Sequence, residues 1–227
     1  MIEPLTWISY TLVTDGTRDQ SLLQPIIQWV IRHKVLCRAP LHAQIADFRH
    51  FRNPPTTLYE RLREAVQRFP CNVLFVHRDA ERQPREYRLN EIADAVRRAG
   101  IDQERVLVVP VQMTETWVLI SEAAIRRAAD NPNGKKQLAM PKTVNLEAEV
   151  DAKGLLESLL IEASEKKGRH LKRFRREMNH RVHRVAVYIG DYSPLECLPA
   201  FQAFERDTEA AIRRLMGSQA FLPARPD

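Results

Sequence analysis

Short runs of β-branched and aromatic residues alternate with amphipathic segments through the first 130 residues, and this alternation limits the fold more than any other feature of the sequence. The runs predict buried strands at Trp7–Thr14, Cys71–Val76 and Arg105–Gln112. Helical spacing of apolar residues predicts helices over Asp19–Ile31, from Thr57 onward and over Tyr87–Ala99. Strands that alternate with helices favour right-handed crossovers within one sheet. The sequence therefore predicts an α/β fold with a mostly parallel sheet flanked by helices.

Local signals add detail to this outline. The segment around Gln44–Phe48 predicts a further strand, and Thr57-x-x-Glu60 predicts a capping box at a helix start. Pro110 indicates a sheet edge or a strand end, because proline cannot donate a ladder hydrogen bond. We expect Thr114–Ala129 to be helical. Ser193-Pro194-Leu195-Glu196 predicts a second capping box, with proline at the first helical position.

The chain divides into four segments by composition. Residues 1–130 carry the strand and helix alternation and form the expected α/β core. Residues 131–150 contain Asn-Pro-Asn-Gly and Pro141, which predicts a loop or insertion. Apolar residues at helical spacing predict that 151–217 is a helical C-terminal region packing on the core, and 218–227 is expected to be a flexible tail.

The composition excludes several classes of protein. Of 227 residues, 44% are hydrophobic and 28% are charged, which is typical of a globular chain. The three cysteines are far apart and form no C-x-x-C, which argues against a disulfide framework or a structural zinc site. No apolar run reaches the roughly 18 residues of a membrane helix, and no signal peptide is evident. We expect a cytoplasmic protein without a membrane partner. Glycine-rich nucleotide-binding motifs and the G-x-S-x-G elbow are absent from the sequence.

Basic residues are concentrated in one segment. The net charge is +6, yet nine Lys or Arg and a single acid, Glu177, lie between Lys166 and Arg184. Contact with the phosphates of nucleic acid is one interpretation. A solvated helix face and a docking site for an acidic partner are the alternatives. The candidate nucleic-acid-binding residues are Lys135, Lys136, Lys172, Arg173 and Arg176. His180 and His183 are expected to belong to the same basic surface, and the alternative is that they bind a metal on one face of the helix.

Carboxylates follow each of the three strong strands. Asp15 and Asp19 follow the first, Asp79 follows the second and Glu115 follows the third. In an open parallel sheet these positions lie at one edge, and clustered carboxylates stay ionised only beside a cation. Oxygen ligands suit Mg²⁺ or Mn²⁺, which can activate water against a phosphodiester. The alternative is that each acid is an ordinary turn residue or helix N-cap.

The same segments resemble the motifs of a known family. Asp-Gly-Thr-Arg-Asp at 15–19 resembles the opening motif of stand-alone TOPRIM-like proteins, in which Glu-Gly-x-x-Glu is usual. Val-Leu-Phe-Val-His-Arg-Asp-Ala at 73–80 resembles the strand and Asp-x-Asp of that family. Met-Thr-Glu-Thr-Trp-Val-Leu-Ile at 113–120 resembles its third motif, and Pro199–Phe204 resembles its closing helix. The resemblance covers about residues 6–120 and implies a TOPRIM/Rossmann-like sheet.

The resemblance also implies roles. Family members are similar to the nuclease domain of overcoming-lysogenisation-defect proteins and are often encoded beside an ABC-type ATPase in phage-defence operons. This implies a Mg²⁺- or Mn²⁺-dependent endonuclease subunit that acts on DNA or RNA with an ABC-type or AAA ATPase, as a hetero-oligomer. Asp15, Asp79 and Glu115 would be catalytic. The metal ligands would be Asp15, Asp19, His77, Asp79 and Glu115.

Two departures from the family pattern keep other functions open. Asp15 is one methylene shorter than the usual glutamate, and His77 stands where the first acid of Asp-x-Asp is expected. Imidazole brings no negative charge and favours softer cations. A catalytically eroded interaction subunit of an antiviral ATPase complex is therefore the alternative to the nuclease, and a nucleic-acid-binding module without chemistry is a third hypothesis.

Overall fold

A four-stranded sheet in which every strand is parallel to its neighbours forms the centre of the protein, and a computed structural model describes residues 7–80 and 83–217. The strands are β1 (Ile8–Val13), β2 (Leu41–Ile45), β3 (Val73–His77) and β4 (Glu104–Val108). They lie in the order β2-β1-β3-β4. The predicted α/β fold with a parallel sheet flanked by helices is confirmed.

Helices separate the strands and make up the C-terminal part of the described chain. The α-helices are α1 (Thr17–Trp29), α2 (Leu58–Arg68), α3 (Arg85–Arg98), α4 (Glu122–Ala128), α5 (Ala152–Ser164), α6 (Gly168–Arg176), α7 (Met178–Tyr188) and α8 (Pro199–Met216). A π-helical turn, Val30–Lys34, continues α1. The 3₁₀ helices are Thr114–Val118, Thr143–Ala148 and Ser193–Cys197.

The two faces of the sheet have different cores because side chains alternate along each strand. Tyr10, Phe75 and Val106 face a large core that includes residues of α1 and of α4 to α8. Leu74 and Val76 face a smaller core formed with α2 and α3. The C-terminal helices therefore complete the coverage of one face of the sheet.

An aromatic cluster joins the C-terminal helix to the sheet. Trp117, fully buried in its 3₁₀ helix, stacks on Phe204 of α8 with ring centroids 5.6 Å apart. It also meets Phe201 edge-on at 5.1 Å. Phe204 in turn contacts Phe75 of β3, whose ring meets Tyr10 of β1 at 5.4 Å. This packing fixes the segment that carries Thr114 and Glu115 against the ends of the strands.

His183 links α7 to α1 through a main-chain group that a proline leaves free. Pro25 lies inside α1 and has no N–H to donate to the carbonyl of Ser21, four residues earlier. The Nδ1 of His183 lies 3.0 Å from that carbonyl oxygen and donates to it. His183 is partly buried in this contact and holds two helices together, although the sequence assigns it to the basic surface.

Several sequence-based boundaries are wrong in the structure. The observed strand β2 runs from Leu41 to Ile45, so the prediction of a strand at Gln44–Phe48 lay too far towards the C-terminus. The segment predicted as one helix, Thr114–Ala129, instead contains a 3₁₀ helix followed by the short helix α4. Helix α4 starts anew after Ser121, whose side chain accepts from the N–H of Ala124 and caps it. The second capping box does not form, because the hydroxyl of Ser193 donates to Asp191 and α8 begins later.

Other local predictions are confirmed. The side chain of Thr57 accepts from the N–H of Glu60, and Glu60 accepts from the N–H of Thr57, which completes the capping box of α2. These hydrogen bonds, together with those from Thr56, lower the pKa of Glu60 to about 2. Pro110 lies beyond the end of β4, and β4 is an edge of the sheet in the described part of the chain.

The segment 131–150 is anchored to α5 and contains one 3₁₀ helix. Glu165, at the end of α5, accepts from the main-chain N–H groups of Lys135 and Lys136 and from the side chain of Asn131. Leu138 and Leu146 are buried in the large core. The tail predicted at 218–227 lies outside the described residues. Among the residues that are described, no helix is long and apolar enough to cross a membrane.

Replacing Phe204 with alanine tests whether α8 belongs to the core of the sheet. We expect Phe204→Ala to lower the free energy of unfolding by about 3–5 kcal/mol, because it opens a cavity beside Trp117 and Phe75. Chemical denaturation measures this change. Tyr87→Ala is the control, since Tyr87 is 57% exposed and should change stability by no more than about 0.5 kcal/mol. Equal effects of the two substitutions would contradict the shared core.

Candidate metal centre

The candidate site lies at the carboxyl ends of β1 and β3, in the middle of the sheet. From β1 the chain passes through α1 to β2 on one side, and then through α2 to β3 on the other. Such a reversal of strand order leaves a crevice beyond the strand ends, where ligands of open α/β sheets bind. Asp15 lies two residues after the end of β1, and His77 is the last residue of β3. The topology thus brings separate sequence motifs to one place.

Asp19, His77 and Asp79 form a cluster with the dimensions of a metal site. One ligand atom from each residue lies within 4.8 Å of the ligand atoms of the other two. Asp19 is in the first turn of α1, where the helix dipole favours a carboxylate. His77 is fully buried, and Asp79 follows it on the loop after β3. The cluster thus combines two carboxylates with one imidazole.

Thr114 completes the cluster and was not anticipated from the sequence. Its main-chain N–H donates to Oδ1 of Asp79 at 2.9 Å, and its Oγ1 lies 3.2 Å from the same oxygen. Its Oγ1 is also 2.9 Å from Nε2 of His77. The only signal in the sequence was its position directly before Glu115, in the third motif. Thr114 fixes the orientation of Asp79 and His77.

The hydrogen bonds of His77 indicate which ring nitrogen carries a proton. Nε2 lies 3.1 Å from Oδ1 of Asp79 and therefore donates to it. Nδ1 is buried and has no hydrogen-bond partner among residues 7–80 and 83–217. Burial alone lowers the pKa of His77, but the carboxylates of Asp79, Asp19 and Asp15 outweigh it and raise the pKa above its ordinary value. His77 thus donates a hydrogen bond to Asp79 from the buried side of the cluster.

The pKa of Asp19 is raised, and repulsion from neighbouring acids contributes to the rise. Burial raises this pKa, and the charges of Asp79 and Asp15 raise it further. The charge of His77 and a hydrogen bond from Thr114 act in the opposite direction without cancelling the shift. A cation at this position would relieve the repulsion.

Glu115 lies beside this cluster and is paired with an arginine. Its side chain is only 3% exposed, and its Oε1 is 3.1 Å from Nε of Arg18. Arg18 also donates to Glu157 of α5 at 2.8 Å. Burial raises the pKa of Glu115, Arg18 opposes this, and the charges of Asp19 and Asp79 raise it again. Glu115 is therefore close enough for the charges of the cluster to raise its pKa. It pairs with the guanidinium of Arg18, which also pairs with Glu157.

Asp15 lies on the solvent side of the cluster and is held by two arginines. Oδ1 accepts from Nη1 of Arg61 at 3.2 Å and from Nη1 of Arg78 at 3.1 Å. Nε of Arg78 is 3.1 Å from the other carboxylate oxygen. The predicted ligands are thus divided, because Asp19, His77 and Asp79 share one cluster whereas Asp15 and Glu115 each form ion pairs with arginine.

The donor set of the cluster fits a divalent cation. Two carboxylates suit Mg²⁺ or Mn²⁺, and the imidazole shifts the preference towards Mn²⁺. A metal on Nε2 of His77 would place the ring proton on Nδ1, which has no acceptor among the described residues. Such a buried N–H costs about 1–3 kcal/mol, so we expect weaker binding than at a site with a hydrogen-bonded histidine.

The basic residues predicted to bind nucleic acid lie on a different part of the molecule. We define the basic surface as the exposed residues Lys135, Lys136, Lys167, Lys172, Arg173 and Arg176. Lys136 of the loop and Lys167, directly before α6, meet at a cleft that is also lined by Lys166 and by the acids Glu162 and Glu165. The structure therefore brings the basic loop next to the basic helix.

Two arginines of the same charged stretch have structural roles instead. Arg181 is buried, stacks on Phe174 with its guanidinium carbon 4.0 Å from the ring centroid, and pairs with Glu177 and Asp130 at 2.6 Å each. Arg184 binds the other oxygen of Asp130 at 2.7 Å. These ion pairs tie α7 to the end of α4 and leave the exposed charge to α6.

Comparisons with protein-family models, curated proteins and solved structures found no match. The TOPRIM-like resemblance therefore rests on the motifs of this chain alone.

Metal preference tests the role of His77. We expect calorimetry to show tighter binding of Mn²⁺ than of Mg²⁺ to the wild type, because imidazole is a softer ligand than carboxylate. His77→Asp should shift the preference towards Mg²⁺, and Asp79→Asn should abolish binding of both ions.

Asp94→Asn is the matched control, because Asp94 is exposed on α3 and pairs with Arg97. If His77→Asp leaves the Mn²⁺-to-Mg²⁺ preference of the wild type unchanged, His77 is not a metal ligand.

Proposed function

We propose that this chain is a divalent-cation-dependent nuclease subunit that hydrolyses phosphodiester bonds in DNA or RNA. The observation that carries the proposal is the convergence of Asp19, His77 and Asp79, from two separate segments, at the topological switch point of a parallel sheet. Two acids and an imidazole at such a point match a metal-assisted hydrolytic site better than a purely structural cluster.

The residues around the cluster have separate roles in this proposal. Asp19, His77 and Asp79 would hold the cation, which supplies Lewis acidity and an activated water when it is bound. Thr114 keeps Asp79 in place through its N–H and hydroxyl groups. Arg18 carries a positive charge at the edge of the site and can stabilise a phosphate oxygen.

Glu115 has the properties of a proton-transfer group. Burial and the neighbouring acids raise the pKa of Glu115, so this pKa lies closer to neutral pH than the pKa of an exposed glutamate. In this proposal Glu115 would accept or donate a proton at a substrate oxygen next to the cluster. Arg18 limits this rise in pKa and holds the carboxylate in position.

The basic surface can bind the backbone of the same nucleic acid. Helix α5 connects the two regions, because Glu157 contacts Arg18 and Glu165 contacts the loop at Lys135 and Lys136. Eight residues separate these glutamates, a distance of about 12 Å along a helix. In this proposal one strand would extend from the cluster along α5 to the basic surface.

The wider biological setting is also a proposal. The TOPRIM-like motifs support an ABC-type or AAA ATPase partner in a hetero-oligomer and a part in antiviral defence. Free cysteines at Cys37, Cys71 and Cys197 are compatible with the cytoplasm that this setting implies.

Cleavage of supercoiled plasmid and of single-stranded RNA tests the proposal. With Mn²⁺ or Mg²⁺ we expect nicking by the wild type that chelation abolishes. Asp79→Asn and Asp19→Asn should each lower the rate by at least about 100-fold, because each removes a charged ligand. Asp94→Asn should cleave like the wild type. Failure of the wild type to cleave either substrate with either ion would overturn the nuclease assignment of the chain as tested.

A second candidate function is a non-catalytic subunit of an ATPase complex. The ion pairs of Asp15 with Arg61 and Arg78, and of Glu115 with Arg18, favour it, because these acids already have positively charged partners without a metal. In this function the fold would remain as a scaffold for the partner. Calorimetry that detects neither Mn²⁺ nor Mg²⁺ binding, together with absent cleavage, would select this candidate over the nuclease.

Charge reversal on α6 tests the basic surface separately from cleavage. We expect the double variant Arg173→Glu and Arg176→Glu to weaken DNA binding at least tenfold and to reduce the salt slope by roughly 1–2, because each lost phosphate contact removes about one unit. Fluorescence anisotropy at several salt concentrations measures both quantities. The matched control reverses Arg97 and Arg98, which are exposed on α3. An equal loss in both double variants would show that net charge, and not the basic surface, drives binding.

A further inference from the structure

A cleft of about 240 Å³ opens beside the metal centre, between the ends of β1 and β2. Its walls come from the β1–α1 turn, the loop after β2 and the start of α2. The lining residues include Thr14, Asp15, Gly16, Arg49 and Arg61. The cleft shares Asp15 and the β1–α1 turn with the edge of the sheet, but it contains none of the clustered residues Asp19, His77 and Asp79.

The charged residues that line this cleft are two arginines and two acids, Asp15 and Asp47. The guanidinium groups of Arg49 and Arg61 line it, and that of Arg78 lies directly behind Asp15. Arg49 is neutralised locally, because it forms a two-pronged ion pair with Asp47. Arg61 and Arg78 converge from α2 and from the loop after β3 on a single carboxylate, that of Asp15. Asp15 is the carboxylate that both guanidinium groups share, while Nη2 of Arg78 also pairs with Glu91 of α3 at 3.3 Å.

The hydrogen bonds to Asp15 leave this arginine pair incompletely satisfied. Nε of Arg78 is buried and within ion-pair distance of Asp15, yet no acceptor among the described residues meets its N–H in hydrogen-bond geometry. The remaining contacts of Arg61 are long, at 3.4 and 3.5 Å to the carbonyl oxygens of Thr14 and Asp15. Asp15 itself is 40% exposed and can move away from the arginines into solvent. A group with more oxygens and more charge than a carboxylate would satisfy these donors better.

We propose that this cleft binds a phosphate monoester group through Arg61 and Arg78, and that Asp15 occupies the two guanidinium groups when no phosphate is present. A phosphate dianion presents three oxygens and up to two charges, and arginine binds such groups in a two-pronged geometry. Asp15 then competes with the phosphate for the guanidinium groups of Arg61 and Arg78. The cleft selects the terminal phosphate of a nucleic-acid strand or a free phosphate ion, both of which carry this group.

This binding site goes beyond the proposed nuclease activity, because it requires no metal. A terminal phosphate in the cleft would place the end of a strand beside the cluster of Asp19, His77 and Asp79. Cleavage would then be favoured near phosphorylated ends. The anion site itself remains testable with metal removed, so its failure is distinguishable from failure of the metal centre.

Calorimetry of the full chain in EDTA tests the proposal with three probes. These are inorganic phosphate, a short single-stranded oligonucleotide with a 5′-phosphate, and the same oligonucleotide without it. We expect Asp15→Asn to bind inorganic phosphate roughly tenfold more tightly than the wild type, because a competing negative charge is removed from the arginines. Arg61→Gln should abolish the gain when it is combined with Asp15→Asn.

Arg97→Gln combined with Asp15→Asn is the matched control, because Arg97 is exposed on α3 and pairs with Asp94 away from the cleft. It should retain the tighter binding. Preference for the phosphorylated oligonucleotide over the other strand assigns the site to strand ends, whereas binding of inorganic phosphate alone assigns it to the free ion. If Asp15→Asn binds phosphate no more tightly than the wild type, or if Arg61→Gln and Arg97→Gln have equal effects, the proposal is wrong.

Discussion

The packing of Trp117 against Phe201 and Phe204 connects the C-terminal helices to the ends of the strands. Through Phe204 and Phe75 the same aromatic cluster continues into the sheet. It also sets the position of the 3₁₀ helix that begins at Thr114, directly before Glu115. The site therefore depends partly on residues about 90 positions further along the chain, because α8 supports the same helix that Thr114 ties to His77 and Asp79 by hydrogen bonds.

Charge compensation explains how several acids can share one edge of the sheet. Asp79 has His77 and Thr114, Glu115 has Arg18, and Asp15 has two arginines. Asp19 lies among them without an arginine pair in the described structure, and burial together with the charges of Asp79 and Asp15 raises its pKa. The arrangement separates an inner cluster, where a cation can bind, from an outer ring of acids that arginines already neutralise. The proposed metal centre and the proposed anion site are compatible at this edge because acids and arginines alternate along it.

The sequence predicted much of the fold, because strand and helix periodicities depend on local burial. It also predicted that acids after different strands would meet, since parallel strands end at a common edge; the structure gathers Asp19, His77 and Asp79, whereas Asp15 and Glu115 pair with arginines. It did not identify Arg18, Arg61 or Arg78, because nothing in their local pattern shows that they converge on acids up to 97 residues away. The capping box at Ser193 failed for a related reason. Asp191 competes for the hydroxyl, and a second proline at 199 offers a better helix start.

The contact between His183 and the carbonyl of Ser21 has a consequence for how this protein can vary in evolution. Pro25 creates the free carbonyl and His183 satisfies it, although the two side chains belong to helices far apart in sequence. A relative that has another residue at position 25 regains the ordinary helical hydrogen bond, and its position 183 no longer needs a donor. These two positions are therefore expected to covary among homologues, and the pair would report the docking of α7 on α1 in sequences whose structures are unknown.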